Sequence, residues 1–339
     1  AASPSDHRTA MTIAAAAPRD QTVSMRALVY DGTIARVLDR PSPPVAPAMA
    51  LVRMIRAGVC NTDLEIVRGY MGFRGVLGHE LFGEVVEGPD AWKGLRVAAE
   101  INFACGACEA CKSGLGRHCP TRTVMGILGA DGAFAELVAV PVANLHEVPT
   151  GVSDDAAAFL EPLAAAFEIL EQVHVRPGLA CTVLGDGKLG LLAAQVLHQA
   201  GARVLAVGKH ADKLSILARR GIATVALQAW SPTPADLVVE ATGTAKGFAA
   251  AIAALKPRGT LVLKSTVADG VPLDLAPIVI NELTVVGSRC GSFAVAIRAL
   301  QTGSIDVASL ISARYPLRDA AEALRRAGEP GVLKVLLEG

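Results

Sequence analysis

Four cysteines fall close together in the chain, in the spacing Cys105-x-x-Cys108-x-x-Cys111-x7-Cys119. Four thiolates at such a spacing suit a closed tetrahedral zinc site. Because a closed site has no open position for a substrate, we expect this zinc to be structural and to stabilise a lobe over residues 103–121. An iron–sulfur cluster uses the same ligands and is the competing interpretation.

A second group of metal-ligand side chains is spread along the chain. Cys60, His79 and Glu80 lie in its first half, and Glu161 follows near the middle. A thiol, an imidazole and one carboxylate would leave zinc a fourth position for water or a substrate oxygen, as a catalytic zinc requires. Spacing alone does not join these residues, because a lone Cys and a later His are often unrelated.

A glycine-rich turn, GDGKLG at 185–190, follows a predicted buried strand and opens a predicted helix. This context indicates a dinucleotide-binding turn, in which the glycines allow a tight turn and close approach to the pyrophosphate. A glycine-rich turn without a ligand is the alternative. The residues predicted to contact the cofactor are Gly185, Gly187, Lys188, Leu189 and Gly190.

The end of the next predicted strand bears on cofactor choice. NAD-binding proteins usually place a carboxylate there for the ribose hydroxyls, whereas this chain has Gly208, followed by Lys209 and His210. A missing carboxylate beside a cation favours the 2′-phosphate of NADP over NAD, with a merely solvated lysine as the alternative. Further candidate cofactor contacts at the ends of later strands are Thr242, Gly243 and Lys264.

Composition excludes several classes of protein. The 339 residues carry 32 Lys plus Arg and 32 Asp plus Glu, so the formal charge is zero, which is unlike a dedicated nucleic-acid or anionic-membrane binder. A hydrophobic fraction of 52% excludes global disorder. No apolar run is long enough for a membrane span. Seven cysteines with a clustered quartet indicate a reducing compartment, and we expect a cytoplasmic protein.

The pattern of predicted strands and helices divides the chain into two parts. Residues 25–150 predict an irregular, mostly β domain, with short strands at 25–30, 50–59, 83–88, 96–100 and 133–140. Residues 151–290 alternate strand and helix, which predicts an α/β fold with a doubly wound parallel sheet. Its predicted strands are 181–185, 203–207, 236–240, 259–264 and 283–287, and its predicted helices are 188–200 and 212–220.

The two ends of the chain lie outside these two patterns. Residues 1–24 show no core-forming periodicity, and we expect a flexible tail or the remnant of an organelle-targeting segment such as a plastid one. Beyond Gly291 a helix at 293–302, a helix led by Pro316 and a strand at 332–337 are expected. Periodicity does not decide which domain these elements join.

Together these motifs resemble the zinc-dependent medium-chain alcohol dehydrogenases, in particular the polyol, threonine and secondary-alcohol branch. The resemblance covers residues 25–339 and implies a GroES-like catalytic domain (25–150 and 291–339) interrupted by a Rossmann domain (151–290). The matching segments are GVCNTD (58–63), GHELFGEVVEG (78–88), the cysteine quartet, LEPLAAA (160–166), GDGKLG, VVEATG (238–243) and GSRCG (287–291).

The resemblance implies roles for residues of the second metal group. It makes Cys60 and His79 ligands of a catalytic zinc, with Glu80 and Glu161 sharing the third position. Thr62 matches the family hydroxyl that takes the alcohol proton. Many members have a histidine three residues after this hydroxyl, where this chain has Glu65, so the proton path beyond Thr62 departs from the pattern.

The expected activity is hydride transfer between a nicotinamide cofactor and a secondary alcohol, a polyol or the corresponding carbonyl, with two zinc ions per chain and a homo-oligomer, a dimer or tetramer. A zinc-free reductase of activated double bonds and a non-catalytic NADP-binding protein of the same fold are the alternatives. The residues considered as lining of the substrate cleft are Tyr70, Met71, Phe73 and Arg289, the last also as a cofactor contact.

Overall fold

The computed structural model describes residues 24–265 and 274–339. The predicted tail over 1–24 therefore lies, apart from Ser24, outside the described residues. The described chain forms a β-rich unit and a unit built on a six-stranded, all-parallel sheet. This confirms the predicted α/β class with a second, mostly β domain.

The β-rich unit contains strands from both ends of the described chain. They are β1 Ser24–Tyr30, β2 Ala35–Pro41, β3 Met49–Val59, β4 Gly75–Val76, β5 Glu80–Glu87, β6 Arg96–Ala99, β7 Asn102–Phe103, β8 Thr123–Met125, β9 Gly129–Ala130, β10 Leu137–Pro141, β11 Leu145–Glu147, β18 Ile311–Pro316 and β19 Lys334–Glu338. They form a seven-stranded sheet in the order β11-β6-β5-β3-β19-β18, with β10 pairing with β3, and two three-stranded sheets, β2-β1-β4 and β7-β8-β9. The long strand β3 is central because it pairs with β5, β10 and β19.

The parallel sheet has the strand order β14-β13-β12-β15-β16-β17, and helices connect its strands. The first strand, ACTVL, is almost wholly buried because helices cover both faces of such a sheet. Its strands are β12 Ala180–Leu184, β13 Arg203–Gly208, β14 Ala223–Ala226, β15 Ala235–Glu240, β16 Leu255–Leu263 and β17 Thr284–Gly287.

The helices lie mainly in the second half of the chain. They are α1 Asn61–Ile66, α2 Glu109–Lys112, α3 Asp154–Ala157, α4 Leu160–Gln172, α5 Lys188–Gln199, α6 Ala211–Ala218, α7 Ala245–Ala253, α8 Ala276–Ile280, α9 Phe293–Gln301 and α10 Ala320–Ala327. Short 3₁₀ turns lie at Tyr70–Gly72, Asp90–Trp92, Gly116–His118, Val142–Asn144, Leu227–Ala229, Ala308–Leu310 and Leu317–Asp319. None of the helices in the described ranges has the length and apolarity to cross a bilayer.

Two predicted elements differ from the structure. The strand expected at 133–140 begins only at Leu137, because the backbone N–H groups of residues 132–134 donate to carbonyls of residues 76–78 instead of extending the ladder. The helix expected after Pro316 begins at Ala320, because Pro316 ends β18 and a 3₁₀ turn follows it. The last strand, β19, pairs with β3, so the C-terminal segment returns to the β-rich unit.

Candidate active site and metal centres

The four clustered cysteines converge on one point. The Sγ–Sγ distances are 3.4 Å for Cys108–Cys111, 3.5 Å for Cys105–Cys119, 3.8 Å for Cys108–Cys119 and 3.9 Å for Cys105–Cys111. A tetrahedral zinc with Zn–S bonds of about 2.3 Å requires sulfur separations of about 3.8 Å. The quartet therefore fits one zinc ion, whereas a cluster of several irons would hold its cysteine ligands farther apart.

A second convergence joins Cys60, His79 and Glu80, whose ligand atoms all lie within 4.8 Å of one another. Cys60 directly follows β3, and His79 and Glu80 stand at the start of β5. The antiparallel register of these strands places Gly58 opposite Glu80, which brings the two segments together. His79 and Glu80 are buried, so a metal held here would be shielded from bulk water on the protein side.

Asp63 holds the backbone of Cys60 and the side chain of His79. One carboxylate oxygen accepts the backbone N–H of Cys60 at 2.8 Å, and the other lies 3.1 Å from His79 Nδ1. A carboxylate on one ring nitrogen orients a histidine so that its other nitrogen can bind metal. Burial alone would lower the pKa of His79, but the charge of Asp63 raises it well above its usual value. A thiol, an imidazole and a carboxylate that converge in this way fit a zinc ion.

Lys334 is a partner of this site that sequence reasoning missed. Its ammonium lies 2.6 Å from one carboxylate oxygen of Glu80 and also contacts the other, and both side chains are fully buried. It also lies 5.5 Å from the centre of the Phe159 ring. The available signal was a single lysine inside the apolar run 332–337, where a charge must find a partner.

Glu161 and Thr62 stand beside the group without entering it. Glu161 lies in the first turn of α4, and burial raises its pKa while the charge of His79 opposes that shift. Thr62, in the first turn of α1, has its hydroxyl 3.8 Å from Cys60 Sγ. Glu65, at the position where a relay histidine would be expected, instead pairs with Arg68 at 2.9 Å.

The predicted cofactor turn has the geometry of a phosphate cradle. Gly185 has φ +117°, in the left-handed region, and a Cβ on Gly190 would lie 2.1 Å from the carbonyl oxygen of Gly185. Gly187 is the N-cap of α5, and a Cβ there would meet open space. Open space before a helix N-terminus, behind a tightly packed turn, fits the pyrophosphate of a dinucleotide.

Two other residues of this turn point in different directions. Leu189 packs against the core of the parallel-sheet unit. Lys188 extends toward the metal group, where its ammonium lies 3.4 Å from the carbonyl oxygen of Val59, the residue before Cys60. Burial lowers the pKa of Lys188. The cofactor turn and the metal-ligand segment are therefore direct neighbours.

At the end of β13 the structure adds a carboxylate to the predicted group. Gly208 has no side chain, but the carboxylate of Asp186 reaches across from the glycine-rich turn and accepts the backbone N–H groups of Lys209 and His210. Lys209 is exposed and forms no ion pair among residues 24–265 and 274–339. His210 is the N-cap residue of α6.

Thr242 and Gly243 lie at the carboxyl end of β15, as expected. Their backbone N–H groups donate to one oxygen of Glu240, at 2.6 Å and 3.2 Å, and the Thr242 hydroxyl donates to the same oxygen at 2.5 Å. Glu240 is buried. It thus fixes the turn, a role that the sequence analysis did not identify.

Lys264 is buried against protein instead of facing open space. Its ammonium donates to the carbonyl of Ala165 at 2.7 Å, the hydroxyl of Ser288 at 3.1 Å and the carbonyl of Arg289 at 3.0 Å. Burial lowers its pKa to about 8. Arg289 is exposed and donates to the carbonyl of Arg117 at 2.6 Å. Lys264 therefore joins the segment after β17 to α4.

The three candidate lining residues at 70–73 differ in environment. Phe73 is buried in the core of the β-rich unit, and Tyr70 packs partly against that core. Met71 is half exposed and has φ +61°, in the left-handed region that non-glycine residues rarely adopt. Of the three, Met71 is the most exposed.

Comparison with known proteins agrees with this geometry. Residues 46–150 match the family model of the alcohol dehydrogenase GroES-like domain, and residues 189–304 match that of the zinc-binding dehydrogenases. The chain is 31% identical over 330 residues to an L-threonine 3-dehydrogenase of Streptomyces avermitilis, covering 89% of this chain and 95% of that protein. It is 27% identical to a sorbitol dehydrogenase of Halalkalibacterium halodurans, with 89% and 94% covered.

Solved structures show the same architecture. A zinc-binding dehydrogenase from Sinorhizobium meliloti bound to NADP has a TM-score of 0.86 at 28% identity, and an alcohol dehydrogenase from Escherichia coli complexed with NADH has 0.85 at 25%. Each comparison covers 93% of this chain and 99% of the other. The cysteine quartet, the Cys/His/Glu group and the matches to these relatives agree. The chain therefore belongs to the zinc-binding medium-chain alcohol dehydrogenase family and is a zinc- and NAD(P)-dependent dehydrogenase.

Proposed function

We propose that the protein oxidises a secondary alcohol or polyol, or reduces the corresponding carbonyl. The carrying observation is the buried group of Cys60, His79 and Glu80 with Thr62 beside it, next to the cofactor turn through Lys188. The relatives named as threonine 3-dehydrogenase and sorbitol dehydrogenase support this substrate class. A zinc-free reductase or a non-catalytic protein would have no need of the complete group.

A zinc held by Cys60, His79 and a glutamate would supply polarisation of the substrate oxygen, and a nicotinamide cofactor held at the turn 185–190 would supply the acceptor or donor of the hydride. In our proposal Thr62 Oγ1 accepts the proton of the alcohol hydroxyl while its own hydroxyl proton passes to solvent water, and both transfers run in the opposite sense in the reverse reaction. Asp63 holds Cys60 and His79 in place through its two oxygens. The burial of Asp63 and His79 excludes water from the protein side of the site, which keeps these interactions strong.

The third protein ligand of the catalytic zinc is shared, in our proposal, by Glu80 and Glu161. Glu80 lies within reach of Cys60 and His79 but is held by Lys334. Burial raises the pKa of Glu161, and the positive charge of His79 opposes that rise. A cation at the site would therefore stabilise the ionised form of Glu161 and draw it toward the metal.

We further propose that NADP is preferred over NAD. Lys209 supports this preference because it is exposed and unpaired within the described residues, beside a strand end whose own residue is Gly208. A cation there favours a 2′-phosphate. One of the structural relatives is bound to NADP and another is complexed with NADH. Gly208, Lys209 and His210 form the proposed recognition segment.

We propose two domains with different roles. The catalytic domain, residues 25–150 and 291–339, binds the metal and the substrate, and the Rossmann domain, residues 151–290, binds the cofactor. Support comes from β19, which pairs with β3 although it lies at the end of the chain. None of the seven cysteines, all of which lie in the described ranges, forms a disulfide, and five of them lie in the two metal-ligand groups, which supports the proposed reducing, cytoplasmic location.

We propose a homo-oligomer that forms through one edge of the parallel sheet. β17 is the last strand of that sheet, and its Val285 is 40% exposed. In the adjacent helix α8, Val279 and Ile280 are 75% and 77% exposed. A second copy could pair along this edge about a twofold axis. Ile280→Lys should lower the molar mass measured by light scattering, whereas an unchanged mass would place the interface elsewhere.

The substrate proposal is tested by a cofactor-reduction screen. The panel contains polyols, secondary alcohols, sugars and 3-hydroxy amino acids, each with NAD and with NADP. We expect reduction with at least one polyol, secondary alcohol or 3-hydroxy amino acid, and none from Cys60→Ser. Turnover by Cys60→Ser equal to that of the wild type, or no turnover with any of these classes, would overturn the proposal.

A further inference from the structure

Position 208 has no carboxylate of its own, but in the folded chain the carboxylate of another residue lies beside it. Asp186, the residue between the first two glycines of the cofactor turn, places its Oδ2 2.7 Å from the backbone nitrogen of Lys209 and 2.6 Å from that of His210. The same oxygen lies 3.0 Å from Nδ1 of the His210 ring. The carboxylate therefore sits at the carboxyl end of β13, where NAD-binding proteins place a carboxylate from the strand itself.

This arrangement explains why position 208 is glycine. Gly208 is not among the residues with positive φ, so its backbone would accept any side chain. A Cβ at this position, however, would lie 2.5 Å from Asp186 Cβ and 2.6 Å from Asp186 Oδ2. The side chain of Asp186 fills the space that a residue at 208 would use.

One oxygen of this carboxylate is still available. All three contacts involve Oδ2, whereas Oδ1 makes no hydrogen bond within residues 24–265 and 274–339. The side chain is mostly buried but keeps 11% of its surface exposed. An ionised, fixed oxygen at this edge of the sheet is suited to accept a hydrogen bond from a ribose hydroxyl.

From these contacts we infer that Asp186 is a specificity-determining residue that accepts the adenosine ribose hydroxyls of NAD and repels the 2′-phosphate of NADP. It opposes Lys209, which attracts that phosphate and which, under the proposed preference for NADP, outweighs the repulsion by Asp186. Cofactor choice then depends on two opposite charges that reach one strand end from different loops. This inference rests on the proposed cofactor site but on no particular alcohol substrate.

The test uses calorimetric binding of two adenosine fragments to the full zinc-loaded chain. Adenosine 5′-monophosphate carries the free ribose hydroxyls, and adenosine 2′,5′-bisphosphate carries the 2′-phosphate. Asp186→Asn keeps the shape of the side chain and removes its charge. It should therefore weaken binding of the monophosphate by about tenfold and leave binding of the bisphosphate unchanged or make it tighter. Asp212→Asn, which removes a charge from the exposed first turn of α6, should leave the ratio of the two affinities unchanged.

A positional exchange provides the second arm. Asp186→Gly should weaken the monophosphate, and adding Gly208→Asp to it should restore that affinity, because the collision at 208 is then removed. Equal weakening of both fragments by Asp186→Asn, no change in either, selective weakening of the bisphosphate, or failure of the exchange to restore binding would each overturn the inference. Fragment binding needs no turnover, so absence of dehydrogenase activity alongside a shifted ratio would refute only the proposed function.

Discussion

The ammonium of Lys334 lies against the carboxylate of Glu80 in a fully buried ion pair, although the two residues are 254 positions apart. Glu80 follows a predicted metal ligand, and Lys334 begins the last strand of the chain. The C-terminal segment therefore supplies a charge to the metal group as well as a strand to the sheet.

Replacing Lys334 by Met should destabilise the protein strongly, because a buried carboxylate would lose its partner. We expect a loss of about 3–5 kcal/mol in the free energy of unfolding, measured by urea denaturation. The double variant Glu80→Gln with Lys334→Met should recover part of this loss, since neither charge remains. A double variant as unstable as the sum of the single ones would show that the pair is not coupled.

The cysteine quartet should hold one zinc that supports folding. Cys111→Ser should lower the zinc content measured by elemental analysis from two ions per chain to one and should lower the melting temperature. Cys181→Ser, at a buried cysteine outside both metal groups, is the matched control and should retain both ions. Iron bound at residues 105–119, or a Cys111→Ser protein with both zinc ions, would contradict the assignment.

Thr62→Val should retain zinc and cofactor but slow turnover by roughly a hundred- to ten-thousandfold, the range for loss of an acid–base group. Thr62→Ser retains the hydroxyl and should have a mild effect. The comparison of kcat across pH for the two variants separates chemistry from packing. If valine and serine behaved alike, Thr62 would have no role in proton transfer.

Lys209→Ala should reduce kcat/KM for NADP by roughly ten- to a hundredfold, which corresponds to about 1–3 kcal/mol for a charge-assisted contact. The value for NAD should barely change, because NAD has no 2′-phosphate. Lys209→Arg should keep most of the NADP efficiency, since it keeps the cation. Equal losses with both cofactors would remove Lys209 from phosphate recognition.

Local patterns were sufficient for much of the fold and for part of the site. The quartet was predictable because its ligands lie in one short loop, and the turn at 185–190 because a strand and a helix flank it. The parallel sheet followed from the alternation of apolar runs with helical patterns. These features depend on neighbours in the sequence, so the sequence shows them directly.

Contacts between distant segments were not predictable in the same way. Nothing near Lys334 indicates that Glu80 is its partner, because β-sheet register brings the two together. In the sequence Asp186 only separates two glycines, because its contacts form when the turn packs against the end of β13 in the folded chain. Lys264 stands at a strand end that suggested a cofactor contact, but the approach of α4 gives its ammonium a carbonyl partner instead.

The central claim is that the group of Cys60, His79 and a glutamate holds the zinc on which catalysis depends. The most direct measurement follows the initial rate of nicotinamide reduction with an active alcohol as zinc is removed and restored, with zinc per chain determined at each point. We predict that the rate follows the more weakly bound of two zinc ions, and that Cys60→Ser keeps the quartet zinc and shows no turnover. Full turnover in a chain that holds only the quartet zinc would contradict the account.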